Sequence, residues 1–241
     1  MEWTITTFLL ANFILIIASI LQMATGVSVG MIIVPFLAMI SYTLIPVPIA
    51  FASLTLTVMM AYKGREHIDV ENIPQVSVGM LAGIFAALYI FKNSDVAHLG
   101  IIFATFILVS VFISLKVKSF QLSRGITYGG GFVAGLMGAV AAVGGQILAM
   151  IFQNHPLESI KSTLAFLYTI FTLVMLVLFY LFGEFSYAQL VSGFYLMPGF
   201  IAGYMVAPNF TKYFNPKYTK PVVLGMATFG ALALIIKGFL V

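Results

Sequence analysis

The amino-acid sequence predicts an all-α polytopic membrane protein composed of two halves related as an inverted repeat. Of its 241 residues, 62% are hydrophobic and only 7% are charged, whereas roughly 25% of residues are charged in a soluble domain. The mean hydropathy is +1.13, and the basic residues flank long apolar segments instead of interrupting them. There is no Cys. This composition excludes a disordered chain, a disulfide-stapled secreted domain and an ordinary cytosolic enzyme.

Ten apolar segments account for most of the chain, so no room remains for a soluble catalytic domain. We expect helices because a backbone exposed to lipid must satisfy its own hydrogen bonds, and because the segments lack the alternation of a β-barrel. Two segments follow Gly-rich stretches and are short, which predicts two Gly-broken or re-entrant half-helices and about 8–10 transmembrane segments in all. The predicted segments are 4–23, 29–44, 47–62, 73–91, 96–115, 125–143, 145–153, 160–182, 186–207 and 218–240.

The basic residues predict the topology, since Lys and Arg favour the cytoplasmic side. In one topology, only Lys92 and Lys237 lie outside the cell. In that topology each short segment, together with the segment before it, forms a pair that returns to the side of the membrane where the pair began. Both termini then lie on the outer side of the plasma membrane, and the loops 63–72, 116–124 and 208–217 lie in the cytoplasm. The residues assigned to the cytoplasmic side are Lys63, Arg65, Lys116, Lys118, Arg124, Lys161, Lys212, Lys217 and Lys220.

This topology gives the two halves opposite orientations, which is the plan of many secondary transporters. The first repeat covers 1–116, a cytoplasmic linker covers 117–123, and the second repeat covers 124–241. Three ordered sequence matches support the repeat. The first pairs residues 26–30 with 142–146, the second pairs Pro46 and Ser53 with Pro156 and Thr163, and the third pairs Gly79 and Gly83 with Gly199 and Gly203.

These motifs resemble those of the TauE/SafE family of sulfite and organosulfonate exporters. The family signature is a Gly-rich turn, an apolar run that ends in Pro, and then Pro, Ala and Thr/Ser-Leu at the next helix. The resemblance implies a multi-pass transporter that exports a small anion, in particular sulfite or an organosulfonate. Its first copy fits Gly26, Gly30, Pro35, Pro46, Ala50 and Ser53, and its second copy fits Gly144, Gly145, Pro156 and Thr163.

The two Gly-rich turns predict an anion site near the middle of the membrane. A helix that restarts at membrane depth directs its free N–H groups and the positive end of its dipole into a cavity. Side chains near the turns add donors, with Ser28 and Gln146 at family glycine positions. The candidate substrate-binding residues are Gln22, Thr25, Gly26, Ser28, Gly30, Ser53, Gly144, Gly145, Gln146 and Thr163.

Each candidate also has a purely structural interpretation. The glycines can serve close helix packing, and the polar side chains can bond to neighbouring backbone. Lys161 is either the partner of Glu158 at a solvated helix start or a cation that attracts anions to the cytoplasmic mouth. His155 is either an interface residue or a proton carrier.

Missing motifs limit the function further. All seven acidic residues lie at segment ends or in loops, and the chain has no P-loop, no HExxH motif and no Cys/His cluster. We therefore expect no enzyme activity, no catalytic residues, no metal and no cofactor. The sequence favours a secondary transporter that works by alternating access, and an anion channel on the same scaffold is the alternative. The expected partners are a small anion and the lipid bilayer, not nucleic acid. A coupling ion, H⁺ or Na⁺, and a second copy in a homodimer are further candidates.

Overall fold

The computed structural model describes residues 3–25, 30–94, 96–116, 123–211, 213 and 216–240, with the backbone alone at 25, 96–98, 216–220 and 238–240. All regular secondary structure in these ranges is helical, and it includes two short 3-10 turns at Tyr42–Leu44 and Arg65–His67. The α-helices are α1 Ile5–Thr25, α2 Gly30–Ile40, α3 Val47–Lys63, α4 Ile73–Lys92, α5 Val96–Lys116, α6 Arg124–Ala141, α7 Gly145–Ile151, α8 Leu157–Leu181, α9 Tyr187–Thr211 and α10 Pro216–Leu240.

The ten predicted segments are confirmed as helices, with small differences at their ends. The helix α8 begins directly after Pro156, three residues before the predicted start, because proline is tolerated at a helix start. The helix α9 continues through Pro208 to Thr211, so the loop predicted at 208–217 begins later. The segment predicted at 29–44 ends as a helix at Ile40, and its last residues form the first 3-10 turn.

The chain is a membrane-embedded, multi-pass protein. Five of the described helices, α1, α4, α5, α8 and α9, are long and apolar enough to cross a membrane, and apolar parts of α2, α3 and α10 are shorter. Large apolar side chains such as Phe13, Phe85, Phe112 and Phe229 are exposed on the outer surface. A bilayer would cover them, because lipid and not water is the solvent for such a surface.

Glycine sets the close packing of α4 against α6. A Cβ added at Gly79 would clash with the carbonyl oxygen of Tyr128, and one added at Gly83 would clash with that of Phe132. Residue numbers rise together along both helices, so α4 and α6 run parallel. Small residues allow such close approach of backbones in membrane helices, where packing and not the hydrophobic effect drives association.

The same arrangement recurs between α9 and α1. Gly199 packs against Asn12, and Gly203 packs against Ser19, so this pair of helices also runs parallel. Exchange of the two halves, 1–116 for 124–241, turns the α4–α6 pair into the α9–α1 pair. This correspondence agrees with the predicted repeat, while the inverted repeat itself and the opposite membrane orientation of its halves stay predictions.

Asn12 joins α1 to α9 by hydrogen bonds as well as by packing. Its Oδ1 accepts from the N–H of Gly199 at 2.5 Å, and its Nδ2 donates to the carbonyl of Tyr195 at 2.9 Å. These two backbone groups are four residues apart, the pair that a regular α-helix joins. The buried amide therefore stands between the peptide groups of α9 and satisfies both of them.

We expect Asn12→Ala to lower the free energy of unfolding by about 1 kcal/mol, the usual net value of an interhelical hydrogen bond in a membrane protein. The single Trp, Trp3, lies 5.0 Å from the Tyr195 ring on α9, so its fluorescence during heating in detergent reports the separation of α1 from α9. Asn93→Ala is the control, since Asn93 is exposed at the end of α4. Equal losses for both variants would contradict the bridging role of Asn12.

Candidate functional site

The candidate site begins where the two predicted turns meet. Gly30, the first residue of α2, packs directly against the backbone of Ala142, so that even a methyl group at Gly30 would clash with the Ala142 carbonyl. Ala142 ends α6 in the left-handed conformation, with φ of 52°. Next to this contact, Nε2 of Gln146 lies 3.9 Å from Sδ of Met31. The start of α2 therefore contacts the turn between α6 and α7.

Lys237 holds the far end of α2. Its Nζ donates to the carbonyl oxygens of Ala38 at 3.0 Å and Met39 at 3.2 Å, in the last turn of α2. The same ammonium group lies 4.8 Å from the ring centroid of Tyr42. A cation at a helix C-terminus stabilises the helix dipole.

A cavity of about 100 Å³ lies at the opposite, N-terminal end of α2. Five of its lining residues have polar side chains, and the others are apolar or small. Its walls come from α1, α2, α3, α4, α6, α8 and α9. The polar lining residues are Gln22, Ser53, Thr57, Tyr168 and Thr172; the others are Gly30, Ile33, Ile49, Ala50, Met80, Ile84, Ala134, Gly135, Gly138, Ala139, Ala142, Gly144, Phe171, Met175 and Phe200.

The helix α3 contributes a stripe of hydroxyl groups to the cavity. Ser53 and Thr57 are four residues apart and so share one helix face. Each donates to a carbonyl of the preceding turn, Ser53 Oγ to Ala50 at 2.8 Å and Thr57 Oγ1 to Leu54 at 3.4 Å. Thr55, between them in sequence, is not a lining residue and donates to Ala52. One face of α3 therefore presents two hydroxyl oxygens to the cavity.

The electrostatic character of the cavity suits an anion. The N-terminus of α2 carries the positive end of its helix dipole. Gly138 of α6 also lines the cavity, and a Cβ added there would meet only the Cα of Gly144, at 4.0 Å, so a ligand can approach the backbone closely at this position. Among the described lining residues, none is Asp, Glu, Lys or Arg. A small anion in this cavity would meet neutral donors and a helix dipole, without a carboxylate to repel it.

The structure brings four of the predicted site residues together and places others elsewhere. Gln22, Gly30, Ser53 and Gly144 line the cavity. Gly145 and Gln146 begin α7 beside it without lining it, and Gln146 contacts Met31 of α2 instead. Gly26 and Ser28 lie outside the described residues, and only the backbone of Thr25 is described.

Thr163 lies away from the cavity, near the start of α8. Its Oγ1 accepts a hydrogen bond from the backbone N–H of Asp69 at 2.8 Å, so it joins α8 to the loop that follows α3. Thr163 does not line the cavity with its repeat match Ser53, and in the described conformation its hydroxyl joins the two halves; the substrate-binding role predicted for it stays a prediction.

Sequence reasoning overlooked three polar lining residues, namely Thr57, Tyr168 and Thr172. Thr57 and Thr172 each follow another polar lining residue by four positions, Ser53 and Tyr168 respectively. This spacing was the available signal, because residues four apart lie on the same face of a helix. Choosing Ser53 alone from the hydroxyls of α3 neglected its neighbour on that face.

Gly144 serves close packing as well as the shape of the cavity. A Cβ at this position would clash with the carbonyl oxygen of Ala134 on α6. The packing interpretation and the functional interpretation thus apply to the same residue, since the cavity wall is the surface along which α6 and the start of α7 pack.

The comparison with protein families gives a match over most of the chain. The family model described as Sulfite exporter TauE/SafE matches residues 11–234, a range that reaches from α1 to α10 and includes every residue of the cavity lining. No curated protein and no solved structure matches the chain.

We expect Gly30→Ala to separate the start of α2 from the turn between α6 and α7 and to lower the free energy of unfolding by about 1–3 kcal/mol, the usual cost of overpacking. Gly129→Ala is the matched control, since an added Cβ meets no atom within 4 Å at this position on α6. The control should keep or raise stability, because Ala favours a helix over Gly by about 1 kcal/mol. Circular dichroism during heating measures both, and a Gly30→Ala protein as stable as the control would disprove the close contact.

Proposed function

This chain belongs to the sulfite exporter TauE/SafE family, and on that premise we propose that it is a secondary transporter that exports sulfite or a small organosulfonate. In this proposal it acts by alternating access around the cavity at the N-terminus of α2. The proposed activity is transport and not catalysis.

The cavity is the observation that carries the proposal. An anion that leaves water needs hydrogen-bond donors, because an unpaired charge in an apolar environment is very unfavourable. The start of α2 offers backbone N–H groups and the helix dipole. Gln22 offers the two donors of its amide group, and Ser53 and Thr57 offer hydroxyl groups. These groups are neutral, so they can hold an anion and also release it.

Binding requires the hydroxyls of α3 to change partner. In the described conformation Ser53 and Thr57 donate to carbonyls of their own helix. The hydroxyl group rotates freely about its C–O bond, and its hydrogen can turn toward an anion in the cavity. A charged acceptor makes a stronger hydrogen bond than a carbonyl does, so the exchange of partners favours the bound anion.

The helix pairing supports alternating access over a permanently open channel. The α4–α6 and α9–α1 pairs are equivalent under exchange of the halves, and each pair joins helices from both halves. Such equivalent units can rock about a fixed central site, so that each side opens in turn. We also propose a plasma-membrane location, a homodimeric assembly and coupling to H⁺ or Na⁺, as the sequence suggests.

Counterflow in proteoliposomes tests the function. Vesicles loaded with unlabelled sulfite should transiently accumulate radiolabelled sulfite against its gradient, with a rate that saturates, because a carrier exchanges substrate one for one. Flux that rises linearly with concentration, without counterflow, would identify the channel alternative. Absence of any sulfite or organosulfonate flux through folded protein would refute the proposal.

Within this assay, we expect Thr57→Val to raise the half-saturating concentration about fivefold, since a net loss of about 1 kcal/mol corresponds to that factor. Thr55→Val is the matched control, because Thr55 lies on the same helix but outside the cavity lining. Its half-saturating concentration should stay that of the wild type. Equal effects of the two variants would remove the hydroxyl stripe from the binding site.

The proposed topology is tested by labelling single cysteines in a chain that has none of its own. Glu66→Cys lies in the loop after α3, where the Glu66 side chain is 80% exposed. Asn93→Cys lies at the opposite end of α4 and is also exposed. In intact cells a membrane-impermeant thiol reagent should label position 93 and not position 66. The reverse pattern would invert the topology.

A further inference from the structure

Lys161 is a largely covered cation near the start of α8. Its side chain is 19% exposed, while that of its ion-pair partner Glu158 is 70% exposed, and the Nζ–Oε1 distance is 3.6 Å. The other described Lys and Arg side chains have different surroundings. Lys237 is occupied by the carbonyls of α2, and Lys63, Arg65, Lys92, Lys116 and Arg124 are exposed.

Lys161 lies on the face of α8 that lines the cavity. Tyr168 and Met175, both lining residues, follow it at intervals of seven residues, which is close to two helical turns. Lys161 is therefore about 10 Å from Tyr168 along the helix axis, at 1.5 Å per residue. Leu164 and Ala165 lie between them on this face and are buried, so this end of the cavity is closed in the described conformation.

The residues next to Lys161 form the closing contact between the two halves. Gly64, at the end of α3, packs against Ser162, and the N–H of Asp69 donates to Thr163. The carboxylate of Asp69 also lies next to His155, with Oδ2 and Nε2 3.2 Å apart. An opening at this end of the α3–α8 pair would separate these contacts and create an entrance with Lys161 at its edge.

We propose that Lys161 is the residue that first captures the anion at this entrance, and that Glu158 is the resident counter-ion that the substrate displaces. The inference rests on the proposed transport function and adds a second anion-binding position to it. Glu158 is mostly in water, so its attraction to the lysine is screened and its side chain can leave at little cost. The covered ammonium group keeps its position and receives the anion in place of the carboxylate.

Sulfite exchange in proteoliposomes, measured under anaerobic conditions over a range of sulfite and KCl concentrations, tests this role. At low salt, Lys161→Gln should raise the half-saturating sulfite concentration about tenfold, the effect of losing one charge-assisted contact. Lys161→Arg should restore the wild-type value. Glu158→Gln should lower the half-saturating concentration, because it removes the competing carboxylate.

The ionic-strength dependence separates capture from a structural role. Added KCl should raise the half-saturating concentration of the wild type and leave that of Lys161→Gln nearly unchanged, since screening acts on the charge that the variant lacks. Lys63→Gln is the control, because Lys63 is an exposed lysine at the same end of the protein. It should behave as the wild type in both measurements.

The possible results distinguish the two proposals. A wild-type protein without saturable exchange refutes the transport function, and the capture role falls with it. A wild-type protein that exchanges sulfite while Lys161→Gln keeps the wild-type half-saturation overturns the capture role alone. Failure of Lys161→Arg to restore the value does the same. If Lys161→Gln lowers the melting temperature, its effect on transport can be structural, and the Glu158→Gln variant then tests the capture role. An unchanged half-saturating sulfite concentration in Glu158→Gln overturns the proposal.

Discussion

The structure depends on one requirement, that every backbone polar group at membrane depth finds a partner inside the protein. The two half-helix hairpins, α1–α2 and α6–α7, interrupt the regular backbone hydrogen bonding, and side chains supply partners for the backbone groups there. Lys237 donates hydrogen bonds to the terminal carbonyls of α2, and the buried Ser110 donates to the carbonyl of Val143 after α6, at 3.4 Å. Asn12 stands between two peptide groups of α9. In the described part of the chain, these three side chains give backbone groups of α2, α9 and the α6–α7 turn partners inside the protein.

The same requirement explains why an uncharged cavity suits an anion. Charged side chains inside the membrane have a high energetic cost, and the described part of the cavity lining contains no Asp, Glu, Lys or Arg. Its polar side chains are hydroxyls and an amide, and the positive end of the α2 dipole lies beside them. In the proposed function these groups bind an anion by exchanging hydrogen-bond partners, so neither the loaded nor the empty cavity leaves a buried charge without compensation.

Small residues and polar contacts hold different parts of the fold together. Glycine and alanine let α4 approach α6, and α9 approach α1, closely enough for backbone contact. Polar contacts join the two halves near the helix ends, where the N–H of Asp69 donates to Thr163 and Asp69 Oδ2 lies 3.2 Å from Nε2 of His155. In the proposed alternating access, the packed pairs move as rigid bodies and these contacts separate.

The sequence by itself determined the helices and their ends to within a few residues, because length, hydropathy and the positions of Pro and Gly decide where a membrane helix can form. It also predicted Gln22, Gly30, Ser53 and Gly144 from the Gly-rich turns and the repeat match, and these four residues line the cavity; their binding of a substrate stays a prediction. Only the tertiary structure decided that Tyr168 and Thr172 line the cavity while Thr163 and Gln146 do not. In a helix that is apolar on every side, no pattern separates the lipid face from the core face. Its rotation is set by packing against neighbours, and that rotation determines which polar side chains line the cavity.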